Sequence, residues 1–173
     1  VAEKCAAAKL KIIVATGLKT YPSSFPDIGN GLRIFKTECV KCHGEQGYGD
    51  GLEGLEMNPK PRNFHDDGRM QSMSAAHIFN TVRLGVEGTG MRAIPYLEDE
   101  EVWDVAFYVL SIRHNNPGKS DALNTENVSL EQLSVWSDKE LQQQFSFSNE
   151  QIARLRHSIP EVTKDKFLKL ASD

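Results

Sequence analysis

At 173 residues and a formal net charge of −4, the chain is long enough for one good core plus appendages. Mean hydropathy is −0.43, and no apolar run approaches the ~20 residues of a bilayer span, which leaves no membrane helix in these residues. Residues 1–20 hold four lysines and one acid, residues 21–116 nine basic and fourteen acidic side chains, and residues 117–173 seven and nine; this balance argues against nucleic acid as a partner.

In chain order, residues 1–26 read as an N-terminal extension, with a helix over Ala2–Leu10 and a non-helical Tyr21-Pro-Ser-Ser-Phe-Pro26. Leu10–Ala15 is apolar but short and carries Lys11, so it is neither a span nor a signal peptide. Cys5, in an alanine run, reads either as a small packed residue or as a thiol able to pair with a second chain.

A helix near Asn30–Val40, entered through Gly29-Asn-Gly31, has apolar residues at Leu32, Phe35 and Cys39 and runs into Cys39-Val-Lys-Cys42-His43. Two thiols three positions apart, with a histidine directly after the second, match the two vinyl groups and one iron face of a haem. The thiols add across the vinyls as thioethers, and His43 meets the iron from below. One helical turn must offer all three groups to a single flat macrocycle, which is why the spacing is needed. A structural zinc site wants four ligands, but the remaining cysteine, Cys5, lies in an unrelated segment. A thioredoxin-like pair should follow a strand in an alternating strand–helix pattern, and a helix precedes this one. The motif predicts one covalent haem c, attached through Cys39 and Cys42.

Gly44-Glu-Gln-Gly47-Tyr-Gly49-Asp-Gly51 is too rich in glycine for regular structure and lacks the Gly-Lys-Ser/Thr ending of a phosphate cradle, so it reads as a loop along the haem edge. Met57 follows, in a loop expected under the proximal edge. Pro59 and Pro61 have no amide hydrogen, and a carbonyl in their stretch is expected to accept the Nδ1–H of His43. Arg62 is expected to pair with a haem propionate through its planar fork.

Ser74–Leu84 is a helix with Ile78, Phe79 and Val82 inward, stopped by Gly85. Met91 then sits in a glycine-rich loop, Gly85-Val-Glu-Gly88-Thr-Gly90-Met91, closed by Pro95. Glycines let a backbone wrap closely over a haem face, and the Met91 thioether is the expected sixth iron ligand, favouring the ferrous state. Met73 is the next candidate, although it and Met70, near the start of a helix, read as packing. His65, His77, His114 and His157 read as solvated or helix-capping. From Leu97 an acid-rich start opens a helix reaching Ile112, in which Trp103, Phe107 and Tyr108 build core.

Asn115–Ser120 is a linker by composition, and residues 117–173 form a small helical appendage. Three capping boxes, Ser129–Gln132, Ser137–Glu140 and Ser148–Gln151, each introduce a short helix, and Pro160 separates the third from a last amphipathic stretch.

Gly31, Phe35, the Cys39–His43 motif, Met91 and Tyr108, in this order, resemble a class I monohaem cytochrome c over residues 29 to 114. The resemblance implies an all-α fold in which the helix with Gly31 and Phe35 crosses the helix with Val105 and Tyr108, in a domain spanning 27–116. Residues 42–51, 85–91 and 103–109 are also similar to the cytochrome part of proteins that fuse a cytochrome c to an iron permease. No permease part is among these residues, so transport is not carried over. The implied function is periplasmic or otherwise exported one-electron transfer, with an iron-oxidation link. The expectation is an electron carrier rather than an enzyme, docking redox proteins at the haem edge through a transient interface under about 1,200 Å². The rival readings are a five-coordinate haem sensor or peroxidase-like enzyme, and a cytochrome subunit docked through residues 120–173.

Overall fold

Asp27 accepts the Asn30 amide hydrogen at 3.0 Å and so caps the first helix, α1 (Ile28–Ile34). The computed structural model describes residues 20–114 and 128–157; the Ala2–Leu10 helix, Cys5, the linker after His114, Pro160 and the last amphipathic stretch lie outside them. After α1 the backbone widens into a π-helical segment (Phe35–Cys39) and tightens again into α2 (Val40–His43). The helix expected near Asn30–Val40 therefore starts earlier and carries through the whole C-x-x-C-H motif. A 3-10 turn (Leu52–Gly54), a short α3 (Asp67–Met70), α4 (Ala75–Leu84) and α5 (Asp99–Ile112) follow. The fold is all-α.

Helix α1 packs across α5. A Cβ on Gly31 would collide with the Asp104 carbonyl and with Cβ of Tyr108, so glycine is what permits this approach. Phe35, fully buried, fills the next turn between the rings of Phe64 and Tyr108, with centroids 6.2 and 5.3 Å away. The Asp104 carboxylate accepts the Asp27 amide hydrogen and the Asn30 side-chain amide, both at 2.7 Å, which ties the start of α1 to the middle of α5. Burial pushes that carboxyl upward, and the two hydrogen bonds counter it.

Gly85 ends α4, as its sequence predicts, whereas Ser74, read as the first residue of the helix, stands just before it as the cap. The helix lies against α5 through Phe79 and Trp103, stacked at 4.2 Å. Arg83 reaches from its last turn to the Leu97 carbonyl and the Asp99 carboxylate. The end of the segment read as an extension is fastened here too: Pro22 and Pro26 are buried, and Ser23 and Ser24 donate to Glu100 in the first turn of α5.

All three capping boxes exist as hydrogen-bonded pairs at the starts of α6 (Leu130–Val135), α7 (Asp138–Phe145) and α8 (Asn149–His157). Helix α6 packs on α4 and α8 on α5. Leu133, Leu141, Ile152 and Leu155 are buried in the same cluster as Trp103 and Phe107. Each such side chain contributes roughly 1.5–3 kcal/mol by leaving water.

The histidine expectation is corrected at two positions. His114 is not solvated: its Nε2 lies 2.9 Å from Asp138 Oδ2, and its side chain is almost wholly buried. His157 Nε2 donates to the His114 carbonyl. Arg156, fully buried, donates to Asp138 Oδ1 at 2.8 Å and to the carbonyls of Leu133 and Trp136. Arg113 reaches Asp138 at 3.3 Å and Asp67 at 3.1 Å. Burial alone would raise the Asp138 carboxyl; Arg156 and His114 override it and hold it at about 2.

Candidate haem-binding site

The motif occupies the end of the α1–α2 helix, where the last carbonyls have no partner within the helix. The glycine-rich loop supplies it by turning back. Gly44 donates to the Val40 carbonyl, Gly49 to that of His43 and Gly51 to that of Cys42, at 2.8 to 3.1 Å. A Cβ at Gly51 would strike the Val40 and Lys41 carbonyls, so the loop can lie this close to the helix only as glycine. The loop read as a haem edge is thus, first, the cap of the motif helix.

Cys39 and Cys42 are not joined in a disulfide. Burial, then Glu38 and Cys42, pushes the Cys39 thiol up to about 12; burial and Glu53 also raise that of Cys42, partly offset by Lys41. Among the described residues no group of three or more histidine, cysteine or carboxylate side chains is placed to hold a metal ion.

His43 is oriented from two directions. Its Nδ1 lies 3.3 Å from the Arg62 carbonyl, and its ring stacks on Phe64 with centroids 4.6 Å apart and planes 18° from parallel. A carbonyl can only accept, so Nδ1 carries the hydrogen and Nε2 keeps its lone pair. Burial lowers the imidazole's affinity for a second proton, which keeps that lone pair available, although the Arg62 bond works against the shift.

The acceptor lies in the proline-rich stretch, as expected, and is the carbonyl of Arg62 rather than that of either proline. Pro59 is exposed, and the Pro61 ring faces Gly54 while its carbonyl faces Gly49. The prolines shape the turn, and the next carbonyl, that of Arg62, points at the histidine. The Arg62 side chain is half-buried and forms no ion pair among the described residues, so its guanidinium is available to an acidic group.

Met91 is half-buried and packs against the core. Its loop is pinned by Val86 N–H to the Met91 carbonyl at 2.9 Å and by Met91 N–H to Thr89 Oγ1 at 3.1 Å. Met70 is buried among core side chains, which removes it as a ligand candidate, and Met73 packs at the core margin. Met57 makes a contact that spacing did not suggest. Its thioether lies against Gly90, beside the Met91 loop. Periodicity could not have found this, because it depends on where the segment after the motif turns. His65 bonds the Gln46 carbonyl and stacks on Tyr48, bracing the glycine loop.

The family model described as Cytochrome c matches residues 28–113. This stretch belongs to the cytochrome c family. The match supports the class I form expected from the motif order, and a cytochrome c domain carries covalently bound haem c. The residues fit that group: two neutral thiols on one helical turn, an imidazole with its outer nitrogen engaged and its inner one bare, and a thioether in a pinned loop. Over 92 residues the chain is 33% identical to the thiosulfate dehydrogenase of Allochromatium vinosum, covering 50% of this chain and 32% of that protein. The chain thus spans about a third of the length of that curated relative. A chain in the solved structure of the Kuenenia stuttgartiensis reducing HAO-like protein complex is 29% identical, with a TM-score of 0.43, covering 54% of this chain and 44% of that one.

Proposed function

We propose that the cytochrome c domain is a one-electron carrier outside the cytoplasm, holding a single haem through Cys39 and Cys42 with His43 and Met91 as axial ligands. The observation that carries the reading is the His43–Arg62 carbonyl bond, which leaves Nε2 as the ligating nitrogen and fixes the ring plane. Bound haem supplies a ferrous–ferric couple, and a thioether opposite the imidazole favours the ferrous form. The protein's part is to keep that geometry unchanged in both states. Phe64 stacking, the capped motif helix and the pinned Met91 loop each limit movement. Arg62 would hold a propionate.

A surface cleft of about 760 Å³, lined by Val40, Lys41, Tyr48, Asp50, Leu52 and Glu53, opens beside the motif helix. It combines apolar and charged groups, as a transient redox interface requires. The narrower link to iron oxidation rests on the sequence resemblance alone. A second reading, in which the domain serves as the electron-transfer part of a larger enzyme, is favoured by the partial match to a dehydrogenase.

The test is the visible and near-infrared spectrum. Ferric protein should show the weak sulfur-to-iron charge-transfer band of His/Met ligation, lost in Met91→Ala and kept in Met73→Ala. A missing band together with ready carbon monoxide binding by the ferrous protein would replace the carrier with an open-site sensor or enzyme.

A further inference from the structure

The Met91 loop is held by hydrogen bonds within itself, including Met91 N–H to Thr89 Oγ1, and by one to the end of α4. Thr89 donates to the Val86 carbonyl through both its amide and its hydroxyl, Val86 donates to the Met91 carbonyl, and Ile94 donates to that of Val82 near the end of α4. At the loop's tip, a Cβ on Gly88 would meet nothing within 4 Å. At Gly90, beside Met91, the situation is reversed. The Sδ, Cε and Cγ atoms of Met57 all lie within 3.1 Å of where a Cβ would be, so the thioether rests on the backbone of the residue before the axial methionine.

Met57 is also tied to the opposite ligand. Gly51 donates to the Cys42 carbonyl, Gly54 to that of Gly51 and Met57 to that of Gly54, at 3.1, 2.8 and 3.2 Å. This ladder of backbone bonds runs from the haem motif to Met57, whose side chain then crosses to the Met91 loop.

We propose that Met57 is a positioning residue for the axial thioether. By packing on Gly90 it braces the Met91 loop through side-chain contact, in addition to the loop's own hydrogen bonds, and it couples that loop to the motif helix. It acts through its shape, without coordinating iron. The proposal rests on the His43/Met91 reading.

Met57→Ala, Met57→Leu, Gly90→Ala and the double Gly90→Ala/Met57→Ala variant test it in haem-loaded protein. Gly90 has no left-handed backbone requirement, and the group a Cβ would displace is the flexible tip of Met57, so Gly90→Ala perturbs the brace without straining the chain. In Met57→Ala the sulfur-to-iron band should weaken, and carbon monoxide should compete for ferrous iron about tenfold better, which corresponds to about 1.4 kcal/mol of lost loop restraint. Met57→Leu should restore both readouts. Gly90→Ala should reproduce the Met57→Ala result, and the double variant should be no worse than either single one, as for two residues acting through one contact.

The brace is refuted if Met57→Ala matches the parent protein, if the two effects simply add, or if Met57→Leu behaves as Met57→Ala, since that would assign the role to sulfur itself. Should Met57→Ala fail to fold, Gly90→Ala and Met57→Leu carry the same comparison. A parent protein without the band would remove the His/Met reading and this proposal together. A parent whose band is lost in Met91→Ala but unmoved by the Met57 and Gly90 variants removes the brace alone.

Discussion

Between Cys39 and Phe64 the chain is held in place largely by backbone groups, whereas between Val128 and His157 a buried side-chain charge cluster joins apolar packing in holding it. In the first region, amides of the glycine loop satisfy the carbonyls of the motif helix, and a carbonyl orients His43. In the second, Asp138 gathers Arg156, Arg113 and His114 beneath α7. Backbone contacts have little freedom to rearrange, which suits a site that must present sulfur and nitrogen to a rigid macrocycle. Side-chain charges reach further and join elements distant in sequence, which suits a segment that must close over the core.

The comparison is broken most severely at Asp138. Asp138→Asn should cost about 3–5 kcal/mol, because Arg156 is then buried without its counter-charge. Urea unfolding followed by far-ultraviolet circular dichroism measures it, and the sulfur-to-iron band of the folded fraction should not change. A loss below about 1 kcal/mol would mean that the cluster does not hold the segment.

Gly31→Ala comes next, at about 1–3 kcal/mol, since the Asp104 backbone must retreat and α1 must part from α5. It should lower thermal stability without changing axial ligation.

Acid sharpens the contrast further. Asp138 is held at about 2 against an ordinary 3.8, so its contribution is complete above pH about 4 and is lost as pH falls through 2. That linkage amounts to about 2 kcal/mol. Melting temperature measured across this window should fall less in Asp138→Asn than in the parent, and parallel curves would contradict the assignment.

The smallest effect is expected at Arg62. Arg62→Ala keeps the carbonyl that binds His43 but removes the guanidinium, so stability should move by less than about 0.5 kcal/mol. The reduction potential should fall, because a nearby positive charge favours the less positive ferrous state. An unchanged potential in electrochemical titration would place the arginine away from the propionates.

The sequence by itself determined what local chemistry encodes: the C-x-x-C-H turn, the helix ending at Leu84 with its Gly85 stop, and three capping boxes. These depend on residues three or four positions apart, and periodicity displays such pairs directly. The helix crossing at Gly31 and Phe35 was legible through family resemblance, since a glycine and an aromatic one turn apart have no local reason to meet Tyr108.

Only the tertiary structure decided which carbonyl orients His43, where the Met57 thioether rests, and that His114 is buried against Asp138. Each is a contact between segments whose approach is set by the path of an irregular loop or by the docking of a distant helix. A shift of one residue along the 59–62 turn exchanges a proline carbonyl for that of Arg62. Composition and spacing are blind to that shift, because both carbonyls belong to the same stretch and differ only in where the folded backbone aims them.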